Sequence, residues 1–209
     1  MESINQNKRG YRFFKRCFDI VCSSFAIILL SPVYIILSVI VKCTSKGPVF
    51  YSHKRIGKNG KEIGILKFRS MVKNADRMID DFTEEQKKEF KENYKLENDP
   101  RVTKFGNFLR KTSLDELPQL FNIFMGSLSI VGPRPVTQEE TLLYGKDRDL
   151  LLSVTPGLTG LWASSGRSNL SYDERIRLEL QYVRECSFWY DIKIIFNTII
   201  PVFKGHGAK

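Results

Sequence analysis

The longest apolar run lies close to the N-terminus. Ile20 to Val41 is 22 residues without a charge, long enough to cross a bilayer as a helix. Ser31-Pro32 interrupts it at the middle, and proline removes a backbone donor and kinks a helix. Basic residues flank both ends: Lys8, Arg9, Arg12, Lys15 and Arg16 before it, then Lys42, Lys46, Lys54, Arg55, Lys58 and Lys61 after it. Cations on both sides give a crossing helix no preferred direction. They fall on one side if the chain enters, bends at Ser31-Pro32 and leaves by the same face. Each half is then about 11 residues, or about 16 Å of helix, half the hydrocarbon thickness. The hydroxyls of Ser31 and Ser24 are candidates to satisfy the backbone groups freed at the proline. A kinked single crossing remains the alternative on these residues alone. No small-x-small cleavage pattern follows the run (Val41-Lys42-Cys43-Thr44), which argues against a signal peptide.

Further along, residues 48 to 71 predict a β-hairpin. Val49-Phe50-Tyr51 and Ile63 to Phe68 flank the turn residues Lys58-Asn59-Gly60. Residues 73 to 97 are highly charged with sparse apolar positions (Met78, Ile79, Phe82, Phe90, Tyr94), which predicts exposed helix or a mobile excursion. Leu117, Leu120, Phe121, Phe124, Met125 and Leu128 recur at helical spacing, predicting an amphipathic helix over 117–128. Gly132-Pro133-Arg134-Pro135 stops it in a rigid turn, and Pro156-Gly157 with Gly160 makes another loop. Ser171 with Glu174 is a capping box that opens a helix through about Cys186. A last helix from Phe188 places Phe188, Ile192, Ile195, Phe196, Ile199 and Phe203 on one face. That face, with Trp189 and Tyr190 near its start, suits either a membrane interface or an ordinary core.

Composition narrows the class. Apolar residues at 42% and charged residues at 27% exclude global disorder. Four Cys and two His exclude a disulfide scaffold and disfavour a multi-ligand zinc site, and with only His53 and His206 a Ser-His-Asp or Cys-His site is improbable. Cys17, Cys22 and Cys43 surround the apolar segment and read as small apolar fillers or reduced thiols. The net charge of +10 is unevenly placed. Residues 1 to 61 hold eleven Lys/Arg and two acids, while the remaining 22 Lys/Arg face 21 acids. Basic residues beside an apolar segment point to a membrane surface and away from nucleic acid.

The densest polar stretch runs from Asp99 to Gln119. Adjacent carboxylates, Asp115 and Glu116, sit where the amphipathic helix is expected to begin. Ser113 with Glu116 fits a capping box, the bland reading. The functional reading uses the same place. A helix start attracts phosphate, and neighbouring carboxylates face different ways, so one can meet a metal or phosphorus while the other handles a proton. Arg110 and Lys111 supply cations just upstream. Arg134, held between Pro133 and Pro135, is a preorganised guanidinium for phosphate. Lys67 and Arg69 end the second hairpin strand and can join them. Carboxylates with fixed cations on a membrane-associated chain point to phosphoryl chemistry with a hard cation such as Mg²⁺.

Taken together these stretches carry a resemblance. Lys15-Arg16-Cys-Phe-Asp19, Ser31-Pro32, Ser45 to Tyr51, Lys54 to Gly57, Lys67 to Met71 and Asp99 to Val102 occur in order. Leu109 to Gln119, Ser129 to Pro135, Pro156 to Gly160 and Ser187 to Asp191 follow. The chain resembles the monotopic phosphoglycosyl transferases over roughly residues 13 to 208. The resemblance implies a mixed α/β, helix-rich catalytic domain with a β-hairpin, a re-entrant membrane helix broken at Ser31 and Pro32, and interfacial amphipathic helices. It divides the chain into a basic N-terminus and re-entrant helix (1–46) and a cytoplasmic-face catalytic domain (47–209) at the bacterial inner membrane. It implies transfer of a sugar-1-phosphate from a UDP-sugar to polyprenol phosphate, with UMP released. Asp115 would be the nucleophile and lie at a Mg²⁺ ion, and Glu116 would help deprotonate the acceptor. Pro133, Arg134 and Pro135 would lie at the nucleotide end. The substrate-side cations Lys67, Arg69 and Arg110 rest on position and charge. Membrane lipid, downstream glycosyltransferases and a second copy of the chain are the remaining expected partners. The chain is expected to be a minimal catalytic form without the multi-span domain of larger relatives; a catalytically silent scaffold is the competing reading.

Overall fold

The computed structural model describes residues 9–75, 77–93, 96, 99–165 and 170–203. Two helices open it. The first, α1 (Arg9–Leu29), meets α2 (Ser31–Thr44) at a bend of 63°. The bend is where Pro32 can give no N–H to the carbonyl of Ile28, one turn back. The Ser31 hydroxyl donates to that carbonyl at 2.8 Å, so the group freed by the proline is satisfied locally. Ser31 therefore does what the sequence suggests; the hydroxyl of Ser23, rather than Ser24, bonds the backbone of α1, at the carbonyls of Asp19 and Ile20. Neither helix is by itself long and apolar enough to cross a membrane.

The pair has two characters. One face of α2 is core: Tyr34, Leu37 and Val41 bury against Phe68 and Leu109. The Tyr34 hydroxyl donates to the carbonyl of Leu117 at 2.6 Å. Along α1, Asp19 is buried and accepts from the Ser129 hydroxyl and the Ile130 N–H. The guanidinium of Arg16 donates to the carbonyls of Ile123 and Phe124. The other face carries exposed apolar side chains: Phe13, Phe14, Val21, Phe25 (68% exposed), Ile28 (73%), Leu29, Ile35, Ile36 and Val39.

The predicted hairpin is present. Strand β1 (Phe50–Ile56) pairs antiparallel with β2 (Glu62–Phe68), in a register that sets Tyr51 opposite Lys67 and His53 opposite Ile65. Asn59 takes the left-handed conformation the turn requires (φ 58°). The charged excursion contains α3 (Glu84–Asn93), with Phe82 buried; Tyr94 lies outside the described residues. Arg101 fixes this region. It pairs with Asp99 at 2.7 Å, and its guanidinium lies over the rings of Phe82 and Phe90.

Helix α4 (Lys104–Lys111) is capped by Thr103, whose hydroxyl accepts from Gly106 N–H. A side chain at Gly106 would meet the Ser70 carbonyl, so glycine lets α4 lie directly on the strand end. The helix expected over 117–128 is shorter. It is α5 (Gln119–Met125), ended by Gly126 in the left-handed region (φ 88°). Residues 129–131 are strand β3 (Ser129–Val131), so the Gly132–Pro135 turn follows a strand and not a helix. Its parallel partner β4 (Gly157–Thr159) occupies what the sequence marked only as a loop.

Short helices α6 (Gln138–Leu142), α7 (Arg148–Leu151) and α8 (Leu161–Ser164) follow. Helix α9 (Tyr172–Glu185) has the expected Ser171–Glu174 capping box, and α10 (Phe188–Phe203) closes the described chain. On α10, Ile194 is buried while Trp189 (78% exposed) and Phe196 face outward; the side chains of Ile199 and Phe203 lie outside the described residues. Lys15 on α1 pairs with Asp191 at 2.6 Å, joined by the hydroxyls of Tyr11 and Tyr182, and ties the first helix to the last.

Candidate active site

Asp115 and Glu116 lie in a 3-10 turn, Leu114–Glu116, ahead of α5. The expected capping box is absent. Ser113 is in the left-handed region (φ 57°), and its side chain caps nothing. What the reversed backbone achieves is placement. Asp115 is turned inward and buried, while Glu116 stays half-exposed. The two neighbouring carboxylates thus have different environments, as two separate roles require.

Lys67, on β2, reaches both. Its ammonium is 2.7 Å from Glu116 and 3.9 Å from Asp115. Burial pushes the Asp115 carboxyl above its usual pKa; Lys67 and Arg110 pull it back, while Glu116 adds to the rise. Arg110, at the end of α4, donates to the Ser70 hydroxyl at 2.9 Å. Lys67 and Arg110 are therefore brought to Asp115. Lys111 is exposed. Arg69 is not brought there. Its guanidinium donates to the carbonyls of Val41 and Ser45 and to Pro48, and its Nε to the Ser45 hydroxyl. It fastens the end of α2 to the hairpin, so its charge serves the backbone.

A second candidate cluster is built on Gly132–Pro135. The Pro133 carbonyl accepts from Gly157 N–H, which locks the turn to β4, and the Arg134 backbone N–H meets Glu179. The Arg134 guanidinium pairs with Glu140 at 2.7 Å. Glu140 belongs to the Thr137 capping box of α6 and also pairs with Arg55 of β1 at 3.2 Å. Glu179 is buried and accepts from the Tyr144 hydroxyl. Burial raises its pKa to about 7. Arg175 stands over the rings of Trp162 and Tyr172. Its Nε and the Tyr172 hydroxyl are buried with no hydrogen-bond partner among the described residues. Sequence reasoning found Arg134 but missed Arg55, Glu140, Glu179 and Arg175, and set His53 aside for lack of a triad.

Among the described residues no group of three or more His, Cys, Asp or Glu side chains gathers as a metal site. Asp115 and Glu116 are nonetheless the donor set that Mg²⁺ uses beside substrate phosphates: one or two carboxylates, with water and phosphate oxygens completing the octahedron. A separate cavity of about 360 Å³ lies behind α1, lined by Arg12, Lys15 and Lys58 among others; neither site carboxylate borders it.

A buried carboxylate, its half-exposed neighbour and a lysine bridging both form one candidate cluster, and the arginine turn forms a second. The chain belongs to the bacterial sugar transferase family, whose model matches residues 10–205. It is 45% identical over 98% of its length to an uncharacterized sugar transferase of Haemophilus influenzae, covering 44% of that protein. It is 44% identical to the undecaprenyl-phosphate galactose phosphotransferase of Salmonella typhimurium, over 98% of this chain and 43% of the relative. It is also 44% identical to the exopolysaccharide production protein ExoY of Rhizobium meliloti, over 93% of this chain and 87% of the relative. The chain thus spans less than half the length of the first two and most of the third.

Proposed function

We propose that this chain moves a sugar-1-phosphate from a UDP-sugar to undecaprenyl phosphate at the bacterial inner membrane, releasing UMP. The observation that carries this reading is the inward-turned Asp115, held by Lys67 and Arg110 beside the half-exposed Glu116. The similarity to a phosphotransferase named for undecaprenyl phosphate supports the substrate class.

Asp115 attacks the β-phosphorus. The new bond is carboxylate oxygen to phosphorus; the bond to the bridging oxygen breaks, and its electron pair leaves with UMP. Lys67 keeps the buried carboxylate ionised against its own desolvation. Glu116, in contact with both Lys67 and solvent, takes the proton of the incoming acceptor phosphate, whose oxygen bonds the same phosphorus while the Asp115–phosphorus bond breaks and its electron pair returns to the carboxylate. Asp115 and Glu116 would hold Mg²⁺, which when bound supplies charge neutralisation for the diphosphate. Arg134 and Arg55 lie at the nucleotide end.

The bent helix pair supplies the depth. Its outward apolar side chains enter the lipid as a re-entrant hairpin from the cytoplasmic face, with Trp189 and Phe196 of α10 at the interface. A water-soluble donor and a lipid acceptor then meet at one carboxylate.

The test is UMP release by detergent-solubilised protein with a panel of UDP-sugars, Mg²⁺ and undecaprenyl phosphate. One sugar is expected to support release, chelation to stop it, and Asp115→Asn to lower it by about 10³-fold or more, as losses of a nucleophile do. Full activity in Asp115→Asn would sink the covalent mechanism. No release across the panel from folded protein would leave two readings, a sugar outside the panel or a catalytically silent scaffold.

A further inference from the structure

Strand β1 alternates, so Tyr51, His53 and Arg55 share one face. The row begins opposite Lys67, which bonds Glu116, and ends at Arg55, which shares Glu140 with Arg134. From Tyr51 to Arg55 is four residues, about 13 Å of strand. His53 is at the midpoint. Its ring is half-buried and 6.0 Å from that of Tyr51, and neither ring nitrogen has a hydrogen-bond partner among the described residues. The charged groups acting on it are Arg55, Lys67 and Arg134, with Glu140 the acid in the set. Burial first, then those three cations, push its pKa down to about 4, so the imidazole is neutral at pH 7 and keeps one N–H. A neutral donor without a protein partner among the described residues, between two cationic ends of one strand, is suited to an anion that bridges them.

The reading above places the β-phosphorus at Asp115, beside the Lys67 end. The next phosphate of the donor then falls one step along the row, and the nucleoside continues toward Arg55 and Arg134. We propose that His53 contacts the phosphate of the leaving nucleotide, donating its ring N–H to a phosphate oxygen. No proton is transferred: the bridging oxygen leaves with its electron pair, and His53 and the flanking cations take up the charge that grows on UMP. This inference rests on the proposed nucleotide donor.

The experiment is calorimetric titration of UMP and of uridine into the full chain in detergent, for wild type, His53→Ala and His53→Gln. Wild type is expected to bind UMP, His53→Ala about tenfold more weakly, and His53→Gln within about threefold of wild type, because the amide restores a donor. Uridine, lacking the phosphate, is expected to bind all three alike. A folding-independent readout uses wild type alone. The chain has only two histidines, and UMP is expected to shift the His53 ring resonances and raise their titration midpoint, as a nearby anion does. Ring signals that do not move while UMP binds, or His53→Ala binding UMP within twofold of wild type, would overturn the role of His53 alone. Failure of wild type to bind UMP would overturn the nucleotide-donor reading itself.

Discussion

The carboxylate end and the arginine end of the site are built on opposite plans. At the carboxylate end two acids share the ammonium of Lys67, and one acid is buried while the other meets solvent. At the arginine end two guanidinium groups share Glu140, and a second acid, Glu179, is buried beneath them. The first end keeps its charges loosely matched and within reach of a reacting group. The second spends its charges on one another before any ligand arrives. In the proposed reaction, reactivity is thus concentrated where pairing is incomplete, and rigidity where it is nearly closed.

The comparison can be broken most visibly through Glu179. Its folded pKa of about 7 stands above the usual 4.5. A carboxyl raised in this way contributes stability that is fully present below pH 4.5 and is lost as pH rises through 7. The loss is about 3 kcal/mol for a shift of this size. Urea unfolding of wild type and Glu179→Gln between pH 4.5 and 8 is expected to show that slope in wild type and its removal in the variant. A parallel pair of curves would mean that Glu179 is ionised throughout. Next in size is Glu140→Gln, which leaves Arg55 and Arg134 side by side without their shared acid. A loss of about 2 kcal/mol is expected, since removing one partner of a largely buried pair leaves the other uncompensated. A change below 0.5 kcal/mol, the usual size at an exposed surface position, would show that solvent already screens the pair.

At the carboxylate end, the loss of Lys67 gives a smaller, kinetic effect. In the proposed mechanism Asp115 attacks as the carboxylate, so activity is expected to rise with pH through that group's pKa. Lys67→Met removes the cation that holds this pKa down, and the acid limb of the pH–rate profile is expected to move upward by about one unit. An unmoved limb would assign it to another group. The smallest effect is Tyr172→Phe. A buried hydroxyl without a partner costs stability, so its removal is expected to leave the melting temperature unchanged or slightly raised. A clear drop would reveal a hydrogen bond to that oxygen.

Much of this was legible in the sequence, for local reasons. Ser31-Pro32 marks the bend because the missing N–H and the hydroxyl that replaces it are neighbours in the chain. The Asn59-Gly60 turn and the Ser171–Glu174 cap are equally local. Asp115 and Glu116 stand out as adjacent acids among cations. What was not legible depends on distant partners. Arg69 reads as a site cation until the carbonyl of Val41, 28 residues earlier, claims it. Arg134 meets Glu179 across 45 residues. His53 acquires its surroundings only when β1 pairs with β2 and Arg134 packs beside them. The Ser113–Glu116 spacing matched a cap by pattern, yet the left-handed Ser113 makes no side-chain cap and leads into a 3-10 turn in which Asp115 is buried.

The hydroxyl of Tyr34 bonds the carbonyl of Leu117, two residues past Asp115, the proposed nucleophile. With α2 seated in lipid as proposed, this 2.6 Å contact works as a depth gauge. The height of Asp115 above the acyl chains is then measured out by a fixed length of helix, and surface charge is left to hold the protein on the bilayer. A thinner or thicker leaflet would reach the reacting carboxylate as a mechanical displacement, passed along α2 and through one phenol.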